Sequence, residues 1–289
     1  MLIPSIYYTN PNMAVVINNN SGLTEAHYSN TNLSEIYVGR HLVWPVSEAP
    51  TPMIGDKIQY TLSGSTYTIP CNETDVLTRD DIYVDLLDRG DLISDISGIT
   101  DAVIGSCVTE LNDNCFNEAL SLTSVTIPST VNVIGNSAFY ICHSLPTLTI
   151  PNGVKKIPYH MCAGCTELSN TNIPYGVTEI GVNAYYDCLS LMNITIPSTV
   201  TKISDNAFRV QEWTKKDQYQ YNKMLNVAKN RVVICLPTTP PILGDGVFSI
   251  ITGKDEIATY PIYVPSNSLE AYKAAPNWSY IADRIMPMV

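Results

Sequence analysis

Residues 121–142 read SLTSVTIPSTVNVIGNSAFYIC, and residues 189–208 return to the same pattern as LSLMNITIPSTVTKISDNAF. Equivalent residues in the middle of the chain are separated by a constant step of 23 residues. Four kinds of apolar residue keep this step: Ile104, Ile127, Ile150, Ile173 and Ile196; Val108, Val131, Val154, Val177 and Val200; Leu122, Leu145, Leu168 and Leu191; Cys142, Cys165 and Cys188. A fixed period of this length predicts a solenoid, in which each repeat buries its apolar side against the next.

Each repeat contains a short strand that ends at a proline, as in residues 124–128, followed by the pattern Val-x-x-Ile. Proline lacks the donor that would continue a ladder, so the strand stops there. We expect the repeated isoleucines to be stacked and buried. We also expect Cys142, Cys165 and Cys188 to be buried and unbridged, because stacking makes their Cβ directions parallel. The third repeat has Met161-Cys162 in place of a small residue followed by an aromatic one, and we expect it to pack least well.

The flanking segments lack this period. Residues 1–48 are predicted to form a small β module, and residues 49–100 a linker, a hairpin over 57–70 and the first cap. The repeat array is assigned to residues 101–265, with a helical insertion at 209–230. Residues 266–289 are predicted to form a C-terminal helical cap. The predicted fold is therefore mainly β, a repeat solenoid between two caps.

Composition excludes some classes of function. The 289 residues carry a net charge of −11, so phosphate backbones should be repelled and no nucleic-acid partner is expected. The first twenty residues lack the basic, apolar and small-residue sections of a signal peptide. No apolar window is long enough to predict a membrane span.

The sequence contains no established catalytic or nucleotide-binding motif. Cys162 and Cys165 form a lone Cys-x-x-Cys pair without two further zinc ligands, so packing explains them better than a metal or redox site. The acidic segment 75–91 fits a solvated short helix, with a cation site as the alternative. We therefore predict no catalytic residue, cofactor or metal, and no enzyme activity.

The two stretches quoted first resemble the BspA-like class of leucine-rich repeats, over residues 101–208 in five units. Residues 236–248 and 262–285 resemble the C-terminal end of such arrays. This resemblance implies a leucine-rich-repeat solenoid used for adhesion or recognition, without catalytic residues. The outward strand positions form a polar row that is predicted as a recognition face, with a plain solvated face as the alternative: Thr126, Thr149, Asn172 and Thr195. Its expected ligand is a host-surface glycan or protein.

The front of the chain resembles a different group of proteins. SEIYVGRHLVWPV, residues 34–46, and IQYTLSGSTYTIPCNETDVLTRDDI, residues 58–82, are similar to segments of structural and adsorption proteins of tailed phages of gut bacteria. This resemblance implies a multimeric virion protein made in the host cytoplasm, docked to other virion proteins through residues 1–48. The apolar residues predicted to make that contact are Ile36, Tyr37, Val38, Leu42, Val43 and Trp44. They would otherwise be buried by this hairpin folding back on the first repeat. The alternative is a bacterial cell-surface adhesin or a protein-interaction scaffold with the same repeats.

Overall fold

The computed structural model describes residues 13–18, 22–28, 35–38, 41–45, 56–62, 65–70, 76–82, 96–211, 217–252 and 255–289. The strands within these ranges are β1 (Met13–Asn18), β2 (Gly22–Tyr28), β3 (Glu35–Val38), β4 (His41–Pro45), β5 (Asp56–Leu62), β6 (Ser65–Pro70), β7 (Val76–Leu77), β8 (Ile99–Ile104), β9 (Glu110–Leu111), β10 (Ser124–Thr126), β11 (Val133–Ile134), β12 (Thr147–Thr149), β13 (Lys156–Ile157), β14 (Asn170–Asn172), β15 (Glu179–Ile180), β16 (Asn193–Ile196), β17 (Lys202–Ile203), β18 (Val232–Cys235), β19 (Ile242–Leu243), β20 (Ile251–Thr252), β21 (Asp255–Glu256), β22 (Ile262–Val264) and β23 (Ile285–Pro287). The α-helices with both ends described are α1 (Gln218–Asn230) and α2 (Leu269–Ala274), residues 79–82 are also helical, and 3-10 helices span Ile96–Gly98, Ser266–Ser268 and Trp278–Arg284.

The first of two compact units comprises Met1–Met53 and Tyr83–Ile93. Its described parts are two antiparallel hairpins, β1 with β2 and β3 with β4. Sequence reasoning predicted the second hairpin and missed the first. Strands β1 and β2 are separated only by the polar residues 19–21, a length typical of a tight hairpin connection.

The second unit, Ile54–Ile82 and Ser94–Val289, contains the repeats. Each repeat contributes one longer and one shorter strand, and both kinds form parallel ladders. Ser124 pairs with Asp101 in the longer set, and Val133 pairs with Glu110 in the shorter set. The offset of both pairs is the 23-residue period. One full repeat of chain therefore lies between neighbouring strands of each ladder.

The hairpin of β5 and β6 continues the first ladder. Strand β5 pairs antiparallel with β8, while β7 pairs in parallel with β9. The predicted hairpin over 57–70 thus agrees closely with β5 and β6. These strands cover the first edge of both ladders, and a covered edge cannot pair with another chain.

The core consists of the repeated apolar positions. Ile150, Ile173 and Ile196 are buried as expected, whereas Ile127 is only half-buried. Val125 in β10, two residues before Ile127, is also half-buried. The core is therefore less covered at β10 than at the neighbouring strands. The valine and leucine positions of all repeats are buried.

The aromatic position of the repeats forms parallel stacks of rings. Phe116 stacks on Phe139 at 5.4 Å between centroids, and Tyr185 on Phe208 at 5.2 Å. The third repeat interrupts the stack, because Cys162 occupies the aromatic position. Cys162 is nonetheless fully buried, as is the neighbouring Met161. The substitution there removes a ring from the stack and leaves the core closed.

The cysteine column is buried and its thiols are free, which confirms the prediction of unbridged thiols. The Cys142 thiol donates to the Phe116 carbonyl at 3.1 Å, and the Cys165 thiol to the Phe139 carbonyl at 3.0 Å. Burial raises the pKa of the Cys142 and Cys188 thiols well above the ordinary value. These groups are therefore structural donors between adjacent repeats.

Gly164 takes a left-handed backbone conformation, with φ of 80°, at a position where Ile141 in the preceding repeat has φ of 59°. A Cβ atom on Gly164 would lie 3.1 Å from Ile141 Cγ1. The glycine thus relieves both backbone strain and crowding at this point.

Helix α1 is inserted between two repeats, so that Ile242 pairs with Lys202 at an offset of 40 residues. The helix begins later than the predicted 209–230, because Asp217 caps it by accepting from the Gln220 N–H at 3.1 Å. Val210 instead forms a parallel bridge with Ile250. The helix buries one face, which consists of Met224, Val227 and Ala228.

The C-terminal segment packs its side chains against the carbonyls of the last repeat. The Trp278 indole donates to the Pro241 carbonyl at 2.8 Å, and the Tyr272 hydroxyl to the Pro237 carbonyl at 2.7 Å. Ser268 occupies the N-cap position of α2, but its hydroxyl makes no capping hydrogen bond and donates to the Thr238 carbonyl. The segment is also not wholly helical, because β23 pairs in parallel with β22 at the 23-residue offset.

Candidate functional site

The predicted docking residues lie in the β3–β4 hairpin. Ile36 pairs with Trp44, and Tyr37 with Leu42; a register shift between Ile36 and Tyr37 leaves Val43 as an extra residue in β4. Val38 pairs with His41 at the turn end of the hairpin. The side chains of these residues lie outside the described part of the structure, so their docking role stays a prediction.

The predicted recognition residues lie along the longer-strand ladders, and all four are exposed: Thr126, Thr149, Asn172 and Thr195. Two residues earlier in the same strands, a second exposed and uncharged column runs beside them: Ser124, Thr147, Asn170 and Asn193. This face can exchange hydrogen bonds with a ligand. It contains no charged side chain among these eight residues.

A groove lies on the opposite set of ladders, over β11, β13, β15 and β17, with a volume of about 600 Å³. In each of these strands the second residue is buried and the first faces outward. Residues that line the groove include Asn132, Val133, Lys156, Tyr159, Glu179 and Lys202. A cleft of about 300–1,000 Å³ is typical of small-ligand sites, so the groove is the candidate functional site.

Three lysines and one glutamate give the groove its charge. The Glu179 carboxylate accepts from Lys202 at 2.8 Å and lies 3.3 Å from the Lys156 ammonium. The Lys202 hydrogen bond, with that of Lys156, holds the pKa of Glu179 below its usual value, so the carboxylate is ionised at neutral pH. Lys155 also lines the groove. The four groups together are cationic, in contrast to the net charge of −11 for the whole chain.

These groups come together because the repeat brings equivalent residues side by side. Lys156, Glu179 and Lys202 face one another in adjacent strands of one ladder. In the pattern Val-x-x-Ile they lie between the two apolar residues, and the sequence alone assigned them no role. Their common 23-residue step is the signal that could have identified the alternating charges.

An aromatic pair forms one end of the groove. The Tyr159 ring stacks on the His160 ring at 3.8 Å between centroids, and Tyr140 lies on His160 at 5.5 Å. The Asn183 side-chain amide hydrogen-bonds His160 Nε2 at 2.7 Å. Burial lowers the pKa of His160, so its ring is neutral at neutral pH. Tyr159 remains 46% exposed.

The backbone of the third repeat positions this aromatic pair. Asn136 stands where this repeat has Tyr159, and its carboxamide oxygen accepts the Tyr159 N–H at 3.2 Å. His160 has a left-handed φ of 55°, as do its counterparts Ser137 and Asn183. The turn therefore has the same form in each of these repeats, and only its side chains differ.

The described residues show no arrangement that points to catalysis. They contain no group of three or more His, Cys, Asp or Glu side chains able to hold a metal ion. Cys162 and Cys165 are fully buried. In the acidic segment, residues 79–82 are helical, as predicted for part of it. Asp81 accepts from the Thr78 N–H at 2.8 Å, and the Asp81 N–H donates to the Thr78 hydroxyl at 3.1 Å, a reciprocal cap at the helix start; residues 83–91 lie outside the description. None of the described helices has the length and apolarity that a membrane crossing requires.

The repeats can now be compared with known proteins. Residues 94–213 match the BspA type leucine rich repeat region in six copies. The repeat part of the resemblance seen in the sequence is thereby confirmed, and the chain carries a leucine-rich repeat. The phage resemblance of residues 34–46 and 58–82 is not shown by this comparison.

Three solved structures illustrate the likeness. A leucine-rich repeat protein of T. pallidum is 22% identical over 50% of this chain and 69% of its own, with a TM-score of 0.37. One from Bacteroides ovatus is 20% identical over 75% of this chain and 60% of its own, with a TM-score of 0.40. A leucine rich cell surface protein of Faecalibacterium prausnitzii is 22% identical over 39% of this chain and 53% of its own, with a TM-score of 0.21. No curated protein matches the chain.

Proposed function

We propose that this protein is a non-enzymatic recognition module, whose leucine-rich repeats form a solenoid that binds a surface partner through the groove. The observation that carries this proposal is the convergence of Lys156, Glu179, Lys202 and Tyr159 in one concave site. The alternative use of these repeats, as a bacterial surface adhesin or interaction scaffold, is thus preferred to a virion role.

The construction of the repeat unit supports a binding role. Its ladders are held by contacts between adjacent repeats, which leaves one long outward face on each set of strands. Strand β5 covers the first repeat, and residues 266–289 act as the C-terminal cap. Side chains such as Trp278 and Tyr272 satisfy carbonyls of the last repeat there, as the open end of a solenoid requires.

The redox state of one cysteine supports a cell-surface location. Cys107 is disulfide-bonded, and disulfides persist mainly in oxidising compartments such as the cell exterior. The Cys142, Cys165 and Cys188 thiols are free and are buried in the repeat column, away from an oxidant in solvent. A surface location therefore agrees with both kinds of cysteine.

The second candidate is a multimeric virion protein that docks through residues 1–48. The composition of residues 1–48 favours it, because their apolar residues lie outside the repeat period and need burial. A partner chain that buries Ile36 and Trp44 would supply the missing stabilisation. Replacing both residues by Ser should abolish particle incorporation in a phage-producing cell, and should leave surface display in a bacterium unchanged.

Binding to an array of glycans and extracellular-matrix proteins tests the recognition role. The full chain should bind at least one of these surfaces, and Lys202→Glu should weaken the binding because it reverses a groove charge. Thr149→Lys, a similarly exposed change on the other face, is the control and should bind as the natural chain does. Loss of binding with Thr149→Lys alone would assign recognition to the predicted polar face. Absence of binding to every surface would overturn the proposal.

A further inference from the structure

The groove has two chemically different ends. Lys155, Lys156 and Lys202 lie at the cationic end, and Tyr159 stacked on His160 forms the aromatic end. A ligand that fills both must carry a negative group and a flat, partly apolar face on the same small framework. We infer that the groove binds a carboxylated saccharide, with a sugar ring on Tyr159 and its carboxylate at the lysines. This inference rests on the proposed recognition role and specifies its ligand.

The cationic end retains unused donors for a carboxylate. An ammonium group has three N–H donors, and the described contacts of Lys156 and Lys202 in the groove are to the same Glu179 carboxylate. The Lys156 side chain is 70% exposed and that of Lys202 is 48% exposed. Glu179 therefore holds the two ammonium groups apart at fixed positions, and both can still donate to a second carboxylate.

The aromatic end offers one free ring face. Tyr159 presents one face to His160, at 3.8 Å between centroids and 25° between planes, and the ring is 46% exposed in total. The uncovered face can stack on the C–H side of a pyranose ring. The neutral His160 behind it keeps Tyr159 in place, and the exposed Asn132 amide beside the groove can exchange hydrogen bonds with sugar hydroxyls.

Other anionic ligands fit the groove less well. A nucleic acid would bring many phosphates to a chain with a net charge of −11, which opposes binding. An extended peptide commonly adds to an exposed strand edge, and the central strand β15 is paired on both sides, with β13 and β17. Strands β11 and β13 are not paired with each other, so an acidic peptide is tested as the alternative below. The volume of about 600 Å³ accommodates a short saccharide.

Calorimetric titration of the full chain with a glucuronate-containing tetrasaccharide tests the inference. The neutral tetrasaccharide of the same linkage should bind at least tenfold more weakly, and added salt should weaken only the acidic ligand. Tyr159→Ala should reduce affinity at least tenfold, whereas Tyr159→Phe should retain it because the ring is preserved. Tyr175→Ala is the matched control, since Tyr175 is 74% exposed and lies outside the groove lining.

The outcomes separate failure of the saccharide inference from failure of the proposed recognition function. Equal affinity for the acidic and neutral saccharides would overturn the role of the lysines. Unchanged affinity in Tyr159→Ala, with circular dichroism showing a folded protein, would overturn the stacking site. Binding of a poly-glutamate peptide but of neither saccharide would replace a sugar ligand by a peptide and leave the recognition role intact. Failure on the whole array of glycans and matrix proteins would instead remove the proposed function itself.

Discussion

Arg231 is a buried cation that joins the inserted helix to the repeats, and its replacement by Met should destabilise the protein. The side chain is fully buried at the end of α1. Its guanidinium donates to the carbonyls of Leu191 at 2.9 Å, Phe208 at 2.9 Å and Cys188 at 3.2 Å. In the regular repeats a cysteine thiol donates to the carbonyl equivalent to that of Phe208, so Arg231 performs that role where the insertion breaks the period.

The expected loss of unfolding free energy depends on how many backbone carbonyls lose their hydrogen-bond donor. In the described structure Cys188 O also accepts from the Leu191 N–H at 3.3 Å, so two carbonyls are left without a donor in Arg231→Met. Each costs about 1–3 kcal/mol when buried and unsatisfied. Removal of the guanidinium charge also removes the cost of burying that charge. This gain exceeds the loss of hydrogen bonds only when both members of an interaction are replaced. Since the backbone acceptors stay, we expect a net loss of about 2–4 kcal/mol.

Urea unfolding of the full chain, followed by far-ultraviolet circular dichroism, measures this loss as a lower midpoint at constant slope. Arg231→Lys should fall between the natural chain and Arg231→Met, because an ammonium lacks the planar fork that reaches three carbonyls. Lys229→Met removes an exposed cation from the same helix end and should change stability by less than about 0.5 kcal/mol. A midpoint for Arg231→Met equal to that of the natural chain would show that desolvation cancels the hydrogen bonds, and would refute the reasoning.

Three further predictions follow from other parts of the repeat unit. Phe139→Ala should cost about 3–5 kcal/mol in urea unfolding, because it empties a fully buried ring position, whereas the exposed Lys156→Ala should change stability by less than about 0.5 kcal/mol; equal effects would contradict the assigned register. Gly164→Ala should cost about 1–3 kcal/mol through its left-handed backbone, and an unchanged midpoint would disprove that strain. The hydrogen bond and charge of Lys223 lower the pKa of Glu167, so this pair stabilises the protein above the ordinary carboxyl pKa and loses its effect as pH falls below about 4.5. The Tm of Glu167→Gln should therefore lie below that of the natural chain at pH 7 and converge with it near pH 3; a gap that persisted at about pH 3 would exclude the ion pair as its cause.

The interior of the repeat unit could be predicted from the sequence because its period is visible in one dimension. Ile150, Ile173 and Ile196 share a column and are buried together. Residues outside that period were harder to place. The start of α1 at Gln218 depends on a capping contact from Asp217, and β23 becomes a strand only because β22 is available to pair with it. Pairing between distant segments is a tertiary effect that local propensity does not report.

The groove illustrates a different reason why a site can be missed. Its charged residues follow the period, but its aromatic end arises where the period fails, at Tyr159 in the third repeat. In the core, Met161 and Cys162 replace a small residue and a ring and stay fully buried. The same repeat places Tyr159 and His160 on the surface, where its neighbour has Asn136 and a serine. The third repeat, whose sequence predicted weaker packing, therefore differs from its neighbours in its surface side chains while its core stays buried. In a protein whose stability comes from equivalent columns, specificity must come from the positions where the repeats differ. In the groove, that difference is Tyr159 of the third repeat, which lines the same site as three lysines.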